Sequence, residues 1–166
     1  VTRYIGKPDA GGWVWLAPRG PGDIEVLELS HDRQIFIQRG SLLGSWENVQ
    51  TAVKNFGFRG IFSGEGMFFL RAYTSDGARG KVYIASYGGI DKLTIKVGDE
   101  ILVDTGHVVA FDDTLTFSIC KMGGLRNMLL SGEGLVCKFK VKDRGPRTRE
   151  GCIWVQTRVP ALKPPA

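Results

Sequence analysis

The chain has little of what metal and redox chemistry needs. Three cysteines, Cys120, Cys137 and Cys152, and two histidines, His31 and His107, are all that its 166 residues contain. An odd, widely spaced cysteine set excludes a disulfide framework and a zinc-ligand pattern. It fits reduced, mostly buried thiols inside a cell, although Cys137 and Cys152 are near enough in sequence to meet across a hairpin. No apolar run reaches the roughly 18 residues of a membrane span, and no signal or transit pattern opens the sequence. The first residue is Val1 rather than methionine, so a targeting segment upstream stays open. No cofactor is expected.

Glycine is plentiful. Twenty-three glycines and seven prolines lie between short apolar runs, a pattern of many strands joined by tight turns. A chain of this length is one domain or two small fused units. The net charge of +5 and pI near 9.2 admit an anionic partner without demanding one.

An internal repeat organises the strands. Shifted by 66 positions, residues 35–40 (IFIQRG) fall on 101–106 (ILVDTG). The SGEG at 63–66 falls on a second SGEG at 131–134 with a shift two residues larger. Such a period signals duplication. Strands are expected at 1–5, 13–17, 24–29, 35–38, 93–97, 101–104 and 108–111, with hairpins joining 67–74 to 81–86 and 135–142 to 152–157. Residues 45–56 carry Trp46, Val49, Val53 and Phe56 at helical spacing behind a possible Ser45 cap. Their repeat partner, 111–121, alternates Leu115, Phe117 and Ile119, so both read as strands, with Val49, Thr51 and Val53 inward. The apolar return strand occurs three times, at 13–17 (WVWLA), 82–85 (VYIA) and 153–156 (IWVQ). The first copy has only the stub 1–5 as its outgoing arm, which places the rest of a further unit upstream of Val1. The expected architecture is all-β, a single domain over 1–159 of internally repeated β-sandwich modules without significant helix. Its pseudo-repeats are 12–79 and 80–150, a third partial unit closes with 151–158, and the tail 160–166 is flexible.

The segments VDTGHVVAFD (103–112), GGL (123–125), LLSGEGLVCKF (129–139) and WVQTR (154–158) resemble a family of uncharacterised proteins named for a yeast "altered inheritance of mitochondria" protein. LAPRGPGDIEVLEL, QRG and SYGGI in the first half follow the same pattern, so the resemblance covers nearly the whole chain. It implies a fold like that of the tryptophan RNA-binding attenuation protein, with repeated sandwich modules in closed homo-oligomers, trimers above all. It also implies a cytoplasmic place in bacteria and a mitochondrial one in fungi. The family brings no catalytic residues. The PRTR insert at 146–149 departs from its pattern by lengthening the last hairpin.

Four groups of residues are candidates for chemistry. Asp104, His107 and Asp112 are close in sequence, with Thr105 and Ser118 as the nearest hydroxyls, yet no G-x-S-x-G elbow accompanies them; the competing reading is a turn held by side-chain bonds to backbone. His31 and His107 occupy different positions of the repeat, which argues against a metal site. Glu65 and Glu133 sit between the paired glycines of the SGEG motifs, as structural latches or as cleft residues. Lys138, Lys140 and Lys142 alternate opposite Cys137, Phe139 and Val141, and Arg144, Arg147 and Arg149 follow. That basic row fits an anionic partner or edge protection, and no aromatic interleaves to stack bases. The recurring aromatics Trp13, Trp15, Phe68, Phe69, Tyr83 and Trp154 fit core or interface packing. The composite expectation is a non-enzymatic, homo-oligomeric scaffold or assembly protein. The alternatives are a nucleic-acid-binding ring and a small-ligand or hydrolytic site at Asp104 and His107.

Overall fold

The computed structural model describes residues 2–6, 9–55, 68–75, 78–120 and 136–159. These form twelve strands: β1 (Ile24–Leu29), β2 (Ile35–Gln38), β3 (Leu42–Ser45), β4 (Val49–Asn55), β5 (Phe68–Thr74), β6 (Gly80–Ala85), β7 (Ile90–Ile95), β8 (Glu100–Asp104), β9 (Val108–Asp112), β10 (Leu115–Cys120), β11 (Val136–Val141) and β12 (Gly151–Gln156). Two single-turn 3-10 helices, Thr105–His107 and Gly145–Arg147, are the only helical turns among the described residues. The protein is all-β, and every strand pairing between named strands is antiparallel.

Three sheets stack as layers. A six-stranded sheet, β4-β5-β2-β9-β12-β7, lies between the three-stranded sheets β1-β6-β3 and β10-β11-β8. Side-chain alternation on β2 shows the two faces. Ile35 and Ile37 pack with Leu27, Leu29, Val82 and Ile84 of β1 and β6, whereas Phe36 packs with Cys137 and Phe139 of β11. The first core is aliphatic apart from Trp154. The second is aromatic: Phe111 stacks on Phe36 at 5.1 Å and meets Phe69, Phe117 and Phe139 edge-on.

Strand order is the same in both halves of the chain. β1–β6 pair as β1-β6-β3 and β4-β5-β2; β7–β12 pair as β7-β12-β9 and β10-β11-β8. The 66-residue shift carries Ile24 of β1 to Ile90 of β7, Leu42 of β3 to Val108 of β9, and Val49 of β4 to Leu115 of β10. Even a register irregularity coincides. The ladder β3–β6 slips between Leu42 and Gly44, and the β9–β12 ladder skips Val109, the residue 66 positions beyond Leu43. The halves meet along β2 and β9, where Phe36 faces Phe111. They touch again where Gly22 bridges its 66-shifted counterpart Gly88. A Cβ on Gly22 would lie 1.8 Å from the Ser86 carbonyl oxygen, so only glycine fits that crossing.

Several expectations need correction. Strands β5 and β6 exist but do not form a hairpin, because they lie in different sheets, and so do β11 and β12. Pairing each with strands outside the hairpin lets the chain cover both faces of the middle sheet. Cys137 and Cys152 therefore sit on opposite faces of that sheet, and both are thiols. Residues 2–5 and 13–17 are irregular rather than strands; their β-propensity finds no ladder partner among the described residues. Segment 45–56 splits into the end of β3, a turn and β4, with no helix among its described residues. Of its expected inward positions only Val49 is buried; Thr51 and Val53 are exposed, because β4 is an edge strand. Strand β3 was not expected, and β7 begins at Ile90 rather than residue 93.

Candidate functional site

The Asp104–His107 turn is wired to backbone. Asp104 Oδ1 accepts from the Gly106 amide at 2.8 Å, capping the 3-10 turn Thr105–His107. His107 Nδ1 lies 2.6 Å from the Gln156 carbonyl; a carbonyl only accepts, so Nδ1 carries the proton. Gln156, 4% exposed, donates from Nε2 to the Gly106 carbonyl at 2.7 Å and accepts the Tyr87 amide at 3.0 Å. This glutamine, which sequence reasoning passed over, fastens the turn to the junction between the halves. Asp112 is engaged elsewhere: Oδ1 accepts Arg33 Nε at 3.1 Å and Oδ2 accepts the Cys152 amide at 2.9 Å. Asp112, in β9, thus ties the turn before β2 to β12. The three residues do not converge as a nucleophilic constellation. Glu65 and Glu133 lie outside the described residues.

The basic row divides. Lys138 Nζ pairs with Glu100 at 2.9 Å, and Lys140 is exposed on the same strand. Lys142 Nζ donates to the Asp113 carbonyl at 2.6 Å. Burial lowers the pKa of Lys142; nearby Asp113 opposes that shift, and Arg144 and Lys54 add to it. The three arginines surround an open cleft of about 520 Å³, which His31, Asp32, Gln34 and Asp113 also line. The loop presenting them is ordered from within. Asp143 Oδ1 accepts from the Gly145 amide at 2.9 Å and the Thr148 hydroxyl at 3.3 Å, while the Arg144 amide donates to Thr148 Oγ1 at 2.8 Å. Gly145 has φ +61° at the head of the 3-10 turn. Arg144 Nη2 donates to the Asp113 carbonyl at 3.1 Å and to its Oδ2 at 3.3 Å. Arg149 Nη2 donates to the Asp32 carbonyl at 2.6 Å. Each guanidinium has five N–H donors, more than these bonds use. Asp113 Oδ1 is buried without a hydrogen-bond partner. His31, set aside as a metal ligand, enters this cleft because the turn after β1 meets the loop before β12.

A third feature is apolar. Trp13 and Trp15 are 81% and 86% exposed and touch edge-to-face at 5.8 Å. They belong to an irregular segment whose Leu16 side chain lies against Gly44 of β3. Trp46 donates to the Tyr83 hydroxyl at 3.3 Å, and Tyr83 pairs across the sheet with exposed Val26. The outer face of β1-β6-β3 thus exposes Ile24, Val26 and Trp46, interrupted by the Lys81–Glu28 ion pair, and Lys81 also lies over the Trp46 ring. Phe69 and Trp154, by contrast, are buried in the two cores.

The model of the mitochondrial biogenesis AIM24 family matches residues 1–158. An uncharacterised protein of Streptococcus pyogenes serotype M6 is 31% identical over 134 residues, covering 80% of this chain and 52% of the relative. The chain thus spans about half the length of the curated relative it matches. An X-ray crystal structure of a Streptococcus pyogenes protein, a structural genomics target, is similar with a TM-score of 0.68 at 26% identity. That likeness covers 86% of this chain and 57% of the solved one. No helix among the described residues is long and apolar enough to cross a membrane.

Proposed function

The chain belongs to the mitochondrial biogenesis AIM24 family, and from that premise we propose that it is a non-enzymatic assembly subunit that self-associates into a homo-oligomer. The observation that carries this reading is the exposure of Trp13 and Trp15, together with that of Trp46, Ile24 and Val26. Indole rings that exposed are out of place on an isolated soluble surface and in place at an interface. The occupied backbone bonds of Asp104 and His107 also favour structure over catalysis at that turn. The assembly would work in the cytoplasm of a bacterium or the mitochondrion of a eukaryote. Multi-angle light scattering tests it. Oligomers are expected for the parent protein, and smaller species for the Trp13→Ser/Trp15→Ser variant; a parent that stays monomeric at tens of micromolar overturns it.

A second reading concerns the cleft, and the unpartnered Asp113 Oδ1 among three guanidinium groups supports it. Arginine forks suit phosphate oxygens, and a buried acceptor suits a hydroxyl. The ligand class is a small phosphorylated polyol rather than a nucleic-acid strand, since the cleft has no aromatic platform. Titration with a hexose 6-phosphate should give binding that Arg147→Gln weakens about tenfold, the scale of one charge-assisted hydrogen bond. Equal binding by the unphosphorylated hexose, or by the variant, would refute it.

A further inference from the structure

Lys142 differs from the lysine two residues before it. Lys140 is exposed, whereas Lys142 is half-buried and its Nζ donates to the Asp113 carbonyl at 2.6 Å. Arg144 Nη2 donates to the same carbonyl oxygen at 3.1 Å and to Asp113 Oδ2 at 3.3 Å. The amine and a guanidinium of the cleft are therefore neighbours at one oxygen. Asp113 lines the cleft as well, and its Oδ1 is buried without a hydrogen-bond partner. One residue thus brings together an amine, an anion-binding fork and an unused carboxylate oxygen.

The surroundings favour the neutral amine. Burial is the largest cause of the lowered Lys142 pKa; Asp113 opposes it, and the like charges of Arg144 and Lys54 add to it. A lysine that gives up its proton more readily exposes a lone pair and becomes a nucleophile, the usual preparation for imine chemistry. The neutral amine keeps two N–H groups. One can still hold the Asp113 carbonyl while the lone pair is free to attack.

We propose that Lys142 forms an imine with the aldehyde of a short phosphorylated aldose whose phosphate is held by Arg144, Arg147 and Arg149. This rests on the phosphate-cleft reading above and adds a covalent step to it. Asp113 Oδ1 takes a proton from the Lys142 ammonium. The nitrogen lone pair attacks the carbonyl carbon, a C–N bond forms, and the carbonyl oxygen picks up a proton from that nitrogen to give a carbinolamine. The nitrogen lone pair then expels the hydroxyl, which leaves as water with the proton that Asp113 returns. The sum is ammonium plus aldehyde giving protonated imine plus water, so charge balances and no oxidant or reductant enters. The protonated imine retains one N–H, enough to keep the bond to the Asp113 carbonyl. A short chain fits because amine and guanidinium meet at one oxygen. A three-carbon phosphoaldose also cannot close into a ring, so its aldehyde is free.

Reductive trapping tests the imine. The parent protein is incubated with glyceraldehyde 3-phosphate and sodium cyanoborohydride, which reduces an imine to a stable secondary amine, and labelled lysines are read by peptide mass spectrometry. Lys142 should be labelled about tenfold faster than Lys140, the scale of one charge-assisted hydrogen bond to the phosphate. Arg147→Gln, or unphosphorylated glyceraldehyde as the reagent, should remove most of that preference and leave the Lys140 rate unchanged. Equal labelling of Lys142 and Lys140 by the phosphorylated reagent overturns the imine. The hexose 6-phosphate titration then separates the two readings: reversible binding that Arg147→Gln weakens leaves the phosphate cleft standing, and no binding removes both. A Lys142 preference that glyceraldehyde or the variant fully retains would be that of a reactive lysine without an anion site, and contradicts the proposal.

Discussion

The seam between β2 and β9 and the matching edge strands β8 and β3 share a topology but not an inventory. At the internal seam Phe36 stacks on Phe111, β2 and β9 are buried through their apolar residues, and Asp112 ties Arg33 and the Cys152 amide together. On the edge strands and just beyond β3 the corresponding positions hold Leu102, Ser45 and Trp46. The β2–β9 seam has the residues of a core, whereas the matching positions of β8 and β3 hold residues of a surface. The strand order recurs in the two halves while the side chains at these positions differ. Apolar burial is worth roughly 25 cal/mol per Å²; two facing phenylalanines supply far more of it than a leucine and a serine.

The comparison can be broken first at its strongest point. Phe111→Ala removes the ring at the centre of the aromatic core, and urea unfolding should show a loss of about 3–5 kcal/mol. Asp112→Ala leaves Arg33 and the Cys152 amide without their acceptor and should cost about 2–3 kcal/mol. A cost under about 0.5 kcal/mol would mean that the clamp contributes nothing to the internal seam. Trp13→Ser/Trp15→Ser acts on the exposed indole pair. It should change the stability of the monomer by less than about 0.5 kcal/mol while light scattering shows its oligomers dissociating at concentrations where the parent's persist.

The smallest effect is at Lys142. Its pKa is lowered in the folded state, chiefly by burial, below the ordinary 10.5. Between the lowered value and 10.5 the unfolded chain binds more protons than the folded one, so unfolding free energy rises as pH climbs through that window. Lys142→Gln should flatten this alkaline rise, and an unchanged slope in the variant would assign it to another group.

Much of the strand plan was legible in the sequence, because short apolar runs alternate with period two between glycine- and proline-rich turns. Period-two alternation at Leu115, Phe117 and Ile119 favours strand over helix for the aligned segment 45–56, of which 49–55 is strand. What failed was pairing. Adjacent strands usually neighbour each other, which made β5–β6 and β11–β12 read as hairpins; the layered arrangement sends each to a different sheet, and no local pattern records that. Residues 13–17 have the composition of a strand, but composition supplies no ladder partner. Strand β3 hid because Leu42–Ser45 is short and contains Gly44, although its counterpart 108–111 was readable. The cleft was half legible. Arg144, Arg147 and Arg149 stood out as charge, whereas His31 and Asp32 reach them only through contacts such as Arg149 to the Asp32 carbonyl, 117 residues apart.

Hydrogen exchange followed as a function of protein concentration tests most directly whether the exposed indole segment is an interface while the internal seam is a core. The amides of 13–17 should gain protection as concentration rises, while those of 35–38 and 108–112 stay constant. Fast exchange at 13–17 at every concentration, in a sample that light scattering shows to be oligomeric, would contradict the account.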